Sequence, residues 1–268
     1  MLKIKFPLQL LTLSISLCLG FVAFTGFPYL KAQSRQAERA ERNIIITGNW
    51  KAFTPPKVGL PGQRQDGGGV RGAYNNACPA EGQLTALMPQ TNIGLTVSEK
   101  PKLYWYVPGK GPIEAEFVLR EASGQLVEQQ TLELTETPGI VSLSPSKPLE
   151  VGKDYHWFFS IICNPDERAG DRFVGGWIRR VEKSEALQSK LLGAKDESDH
   201  ISIYAQESLW FDTLASLAEL LRQNPNDSIL IDKWKELLQA VELANLAKKP
   251  FAKINHAQLP ETKPEINN

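Results

Sequence analysis

The residues of this 268-residue chain that can do chemistry are three histidines, three cysteines and a scatter of carboxylates. His156 follows Asp154 by two positions, which puts imidazole and carboxylate on one face of a strand, the pairing used to relay a proton. No nucleophile accompanies that pair at a recognisable spacing. The run Asn164-Pro165-Asp166-Glu167-Arg168-Ala169-Gly170-Asp171 offers oxygen ligands of the kind calcium takes, but it lacks EF-hand spacing and Arg168 intrudes. Gly67-Gly68-Gly69-Val70-Arg71-Gly72 matches G-x-G-x-x-G. A dinucleotide site needs a strand before that motif and a helix after it. Here Pro61 and Gly62 precede it, and Asn75, Asn76 and Pro79 follow, the context of a flexible loop. His200 sits near a helix start and His256 near the C-terminus. H-E-x-x-H, G-x-S-x-G and phosphate-loop sequences are absent. We therefore expect no enzyme and assign no catalytic residue, metal or cofactor. An extracytoplasmic hydrolase built on Asp154, His156 or residues 164–171 is the alternative.

What remains is a surface. Tyr104 and Tyr106 share one face of a strand, and His156 and Phe158 share the outer face of another. Aromatic rings on an open sheet can hold a sugar ring or a partner peptide. The competing expectation is that a helical region covers Tyr104 and Tyr106, because helices also need an apolar neighbour.

Thirty basic residues balance thirty acidic ones, which excludes a strongly basic nucleic-acid binder and an acidic disordered chain. The N-terminus carries Lys3 and Lys5 before a long apolar stretch and a small-residue exit, the order of an export signal. Cleavage is expected after Ala32, and an uncleaved anchor is the alternative. Loss of residues 1–32 removes three lysines and no acid, leaving 27 basic against 30 acidic residues, a net of −3. It also discards Cys18 and leaves Cys78 and Cys163. An even pair in an oxidising compartment reads as one disulfide. The expected location is the periplasm, the cell envelope or the exterior. Contact with membrane is expected only through an uncleaved signal, and none with nucleic acid.

Residues 33–78 are polar or rich in Gly and Pro and read as a tether. Residues 79–183 alternate with period two between turn residues, giving about seven short strands and an immunoglobulin-like or fibronectin-III-like antiparallel β-sandwich. Leu149-Glu150-Val151-Gly152-Lys153-Asp154-Tyr155 looks like a tyrosine corner, in which the Tyr hydroxyl bonds back across the bend. Trp105, Tyr155 and Trp157 are then core and corner residues. Residues 184–248 switch to helical periodicity. A short helix around Ile201, Tyr204 and Ala205 is capped by Ser198 or Asp199. The stripe Trp210, Phe211, Leu214, Leu217, Ala218, Leu221 ends at Asn224-Pro225. Asp227 caps a further helix carrying Leu230, Trp234, Leu237, Leu238 and Val241. The last two form a tetratricopeptide-like hairpin without a second copy. Residues 249–268 read as a polar, frayed tail.

Pro61-Gly62-Gln63-Arg64-Gln65-Asp66, Cys78-Pro79, Leu84-Thr85-Ala86-Leu87-Met88-Pro89, Trp105-Tyr106-Val107-Pro108, Gly152-Lys153-Asp154-Tyr155-His156-Trp157, Gly176-Trp177-Ile178-Arg179-Arg180-Val181 and Trp210-Phe211-Asp212-Thr213-Leu214 occur in that order. Together they resemble the cyanobacterial exported proteins catalogued as domain of unknown function 928, over residues 61–243. Residues 73–77 widen the spacing between Gly72 and Cys78 relative to that pattern. The resemblance implies an envelope-assembly context and supplies no activity, cofactor or catalytic residue. The expected function is a non-enzymatic, exported, protein-binding or envelope-assembly role. A carbohydrate-binding module using Tyr104, Tyr106 or Phe158 is the alternative.

Overall fold

The computed structural model describes residues 60–65, Cys78 and residues 82–256. The export signal, the Gly67–Gly72 run and residues 257–268 lie outside the described residues. The strands are β1 (Thr85–Ala86), β2 (Ile93–Thr96), β3 (Leu103–Val107), β4 (Ile113–Glu121), β5 (Leu126–Leu134), β6 (Gly139–Leu143), β7 (Asp154–Ile161) and β8 (Arg172–Arg180). Four helices follow: α1 (Glu185–Leu192), α2 (Glu197–Gln206), α3 (Trp210–Gln223) and α4 (Ser228–Ala240). A last strand, β9 (Ile254–His256), returns to the sheets. Their hydrogen-bonded orders are β1-β3-β6 and β2-β8-β7-β4-β5-β9, antiparallel except for β2 beside β8. The expected β-rich domain with a helical C-terminal part is thus present, with four helices where three were expected.

The alternation in β7 explains the layering. Tyr155, Trp157, Phe159 and Ile161 are buried, while the residues between them are half-buried on the opposite side. Period-two alternation sends successive side chains to opposite faces, so one face of this sheet meets the core and the other does not. β3 is buried on both faces. Trp105 points at the larger sheet, stacked on Phe159 at 4.4 Å and edge-on to Trp157 at 5.7 Å. Tyr104 and Tyr106 point the other way, towards the helices. Burial raises the Tyr104 phenol above its ordinary pKa, with Arg222 and Glu219 of α3 close enough to act on it. Lys249 lies 5.1 Å over the Tyr106 ring. The Trp210 indole donates to the Leu87 carbonyl at 3.0 Å.

Local signals placed the helices, with two changes. Asp227 accepts from the backbone N–H of Ile229 and Leu230 as expected. The cap of α2 is Asp196, which accepts from Asp199 N–H, rather than Ser198 or Asp199. α1 has its own cap, Ser184, which accepts from Leu187 N–H. Only Leu187 of α1 is buried, so its apolar stripe is too thin to be read from periodicity. The corner bond is present: the Tyr155 hydroxyl accepts from Glu150 N–H at 2.9 Å. Tyr155→Phe removes it and is expected to cost about 1 kcal/mol of unfolding free energy in a urea titration, with no change in fold.

Two segments read as loose are ordered. Residues 60–65 bridge Gln63 to Gly175 of β8 and Gln65 to Thr85 of β1, so they join the two sheets along one flank. Arg64 donates to the carbonyls of Met88 and Val241, at 3.2 and 2.7 Å, tying that flank to the end of α4. On the opposite flank Phe251 bridges Ile140 of β6, and β9 pairs with Leu132–Leu134 of β5. The chain therefore does not fray at Pro250. Backbone pairing, which composition does not report, holds both segments. Cys78 and Cys163 form a disulfide at the end of β7.

Candidate functional site: the outer face of the larger sheet

The pairing of β4, β7 and β8 arranges one set of side chains on the face away from the core. His156 lies opposite Trp177, Phe158 opposite Gly175, Ser160 opposite Phe173, and Asp154 opposite Arg179. On the β4 side, Arg120 faces His156 and Val118 faces Phe158. The imidazole of His156 stacks on the Trp177 indole at 4.3 Å with planes 6° apart, and meets Phe158 at 4.1 Å. Gly175 is the notch of this surface. A Cβ there would stand 3.1 Å from the Phe158 ring and 3.2 Å from the Trp157 carbonyl. Phe173 is 43% exposed, and the Trp177 indole donates to the Pro61 carbonyl at 2.6 Å.

Of the four surface residues named from sequence, His156 and Phe158 are on this face. Tyr104 and Tyr106 are not. They are 3% and 8% exposed, beneath the helices, and cannot present a ring to a sugar. Trp177 and Phe173 were missed. Their signal was available in the parity of Phe173, Gly175, Trp177 and Arg179, which alternate with the buried Val174, Gly176 and Ile178.

Electrostatics separates the proposed proton-relay pair. Asp154 accepts two bonds from Arg179, at 2.6 and 2.7 Å, and so turns towards the guanidinium. Such a bidentate pair fixes both side chains. Burial holds the His156 pKa below its ordinary value, so the ring is neutral at pH 7. In residues 164–171 the Asp171 carboxylate accepts from Cys163 N–H at 3.0 Å and pairs with Arg168, which also reaches Glu116 at 3.4 Å. That carboxylate closes the turn after β7. Among the described residues no group of three His, Cys, Asp or Glu side chains is placed to hold a metal ion.

Residues 66–251 match the family described as Domain of Unknown Function (DUF928). The chain belongs to that family. The matched region holds β1 to β8, all four helices, both disulfide cysteines and every aromatic residue of the outer face. It begins directly after the strap of residues 60–65 and ends at Phe251, where the opposite flank closes. No curated protein matches the chain.

Proposed function

We propose that this DUF928 protein is an exported, non-enzymatic binding protein that engages a protein partner of the cell envelope through the outer face of its larger sheet. The observation that carries the reading is the half-open stripe of Phe158, Trp177 and Phe173, next to the neutral His156 ring. Contiguous apolar side chains left on a folded surface mark interaction sites. The residues with catalytic potential already have structural partners: Asp154 holds Arg179, and Asp171 holds Cys163 N–H. Trp177 and His156 each spend a ring face on the other, which leaves edges and Phe173 for contact and favours a polypeptide over a sugar ring.

An immunoglobulin-like reading of the sandwich accords with this. β3 pairs with β6, and the order β8-β7-β4-β5 faces them, as strands B and E face G, F, C and C′ in such domains. The Tyr155 bond to Glu150 N–H occupies the corner position before strand F. The α3–α4 pair, joined through Asn224-Pro225-Asn226-Asp227, is read as a tetratricopeptide-like hairpin that completes the core. Export is supported by the lysine-then-apolar N-terminus and by the disulfide.

Photo-crosslinking tests the reading. With p-benzoylphenylalanine in place of Phe173, envelopes of the source cells are expected to give one identified protein adduct that disappears on Phe158→Ser. The same group at Leu192, an 80% exposed position on α1, is the control. Identical adducts from both positions, or glycan binding lost with Trp177→Ala, would overturn it.

A further inference from the structure

Resting on the reading of the outer face as the binding surface, we infer that the element it holds is one amphipathic helix of the partner protein. That helix lies diagonally across β5, β4, β7 and β8, with cations along one flank and anions along the other.

Four apolar residues of this face fall on a line. Leu126 of β5 stands opposite Arg120 and is 47% exposed. Val118, two residues from Arg120 along β4, stands opposite Phe158 of β7. Phe173 of β8 stands opposite Ser160, two residues beyond Phe158. Residues directly opposite in antiparallel strands share a face, so Leu126, Val118, Phe158 and Phe173 all look outward, each one strand further across. Three strand spacings across and four residues along make the line about 20 Å long.

A sheet face offers an occupant side chains and no backbone partners, because β4 and β7 each have a paired strand on both sides. An extended segment lying there would leave its own amides and carbonyls unmatched over apolar rings. A helix satisfies its backbone internally. Apolar residues at i, i+4, i+7 and i+11 of a helix rise about 17 Å from first to last, which sets four anchors along that line.

Charge fixes the flanks. On one side of the line Glu114 stands directly opposite Glu133, both exposed and in no ion pair among the described residues. Like charges directly opposite on a sheet destabilise it, and a cation brought between them reverses the sign. Glu114 is about 12 Å from the line, one helix diameter. On the other side, next to His156, Arg120 is exposed and donates to the Gly124 carbonyl at 3.1 Å, with no carboxylate on it among the described residues. Elsewhere on the face Arg179 is paired with Asp154, and Arg168 with Glu116 and Asp171. The unmatched charges therefore lie on opposite sides of the apolar line. A helix with basic residues on one flank and acidic residues on the other answers both, and a uniformly charged one answers half.

The test titrates the full chain with two synthetic helical peptides of about fourteen residues that share Leu at i, i+4, i+7 and i+11. One carries Lys on one flank and Glu on the other; the second carries Glu on both. At low salt the mixed peptide is expected to bind about tenfold more tightly than the all-Glu peptide, and the gap to shrink as salt rises. Leu126→Ser with Phe173→Ser is expected to weaken the mixed peptide about tenfold, and Leu192→Ser to leave it unchanged. Glu114→Lys with Glu133→Lys is expected to invert the preference in favour of the all-Glu peptide, a gain that a damaged fold does not produce. Failure of both peptides to bind, equal binding of the two, a preference that the lysines do not invert, or binding indifferent to the Ser pair would each overturn the inference. So would self-association of the free chain that Phe173→Ser abolishes, which would put a second copy on this face. Peptides that obey the charge rule without an envelope adduct at position 173 would sink the proposed function alone. An envelope adduct at position 173 with peptides indifferent to flank charge would sink this inference alone.

Discussion

Replacing Cys78 and Cys163 together by Ser is expected to lower the unfolding free energy by about 4–5 kcal/mol. The bridge spans 85 positions and encloses β1 to β7, so in the unfolded chain it closes a very long loop. Closure of such a loop removes unfolded conformations, and the effect grows with the logarithm of its length. Urea unfolding of the two proteins under oxidising conditions measures it. The variant should unfold at lower urea with a steeper transition, because the uncrosslinked chain exposes more surface. An unmoved midpoint would mean that the bridge constrains little in the unfolded chain.

Asp212→Asn is expected to stabilise the protein, and to do so most at alkaline pH. Asp212 lies in the first turn of α3, where its carboxylate accepts from Val97 N–H at 3.2 Å. Burial pushes its pKa up to about 6, against the opposing hydrogen bonds from Thr96 and the neighbouring backbone. A folded-state value above the unfolded one means that the native protein holds the proton more tightly. The stability this gives is present in full below the unfolded pKa near 4 and is lost as pH rises through about 6. The amide never ionises and escapes that loss. Between pH 4.5 and pH 8 the variant's advantage should grow by about 2 kcal/mol, the linkage expected for a carboxyl whose pKa moves from near 4 to about 6 on folding. Urea titrations at the two pH values decide it, and equal differences at both would exclude Asp212 as the titrating group.

Much of the architecture was written in local periodicity. The seven strand runs, the stripes of α3 and α4, the Asp227 cap and the Tyr155 corner each depend on neighbours within a few residues. The outer face was legible only in half. His156 and Phe158 follow from the parity of β7, whereas the exposure of Tyr104 and Tyr106 turned on whether helices a hundred residues away come to rest on β3. No pattern inside β3 distinguishes a strand covered once from a strand covered twice. Residues 60–65 and 251–256 escaped for a related reason. Their order comes from single bridges to distant strands and from Arg64 reaching the end of α4, and polar composition carries no trace of such partners. Trp177 and Phe173 were hidden differently: their strand was recognised, but which parity met the core was not assigned.

Those two flanking segments have a colloidal consequence. A bare outermost strand offers its amides and carbonyls as a template to any other chain, and stacking of copies begins there. Here Gln63 and β2 occupy the free side of β8, while β9 occupies β5 at Leu132–Leu134. The rest of β5 is made unsuitable in two ways. The register shifts opposite Leu119 and Arg120, and Lys147 sets its ammonium on the Val127 carbonyl at 2.8 Å. Copies crowded together therefore meet, on the long flanks of β8 and β5, backbone that is already paired or obstructed, and stacking through those two strands is suppressed.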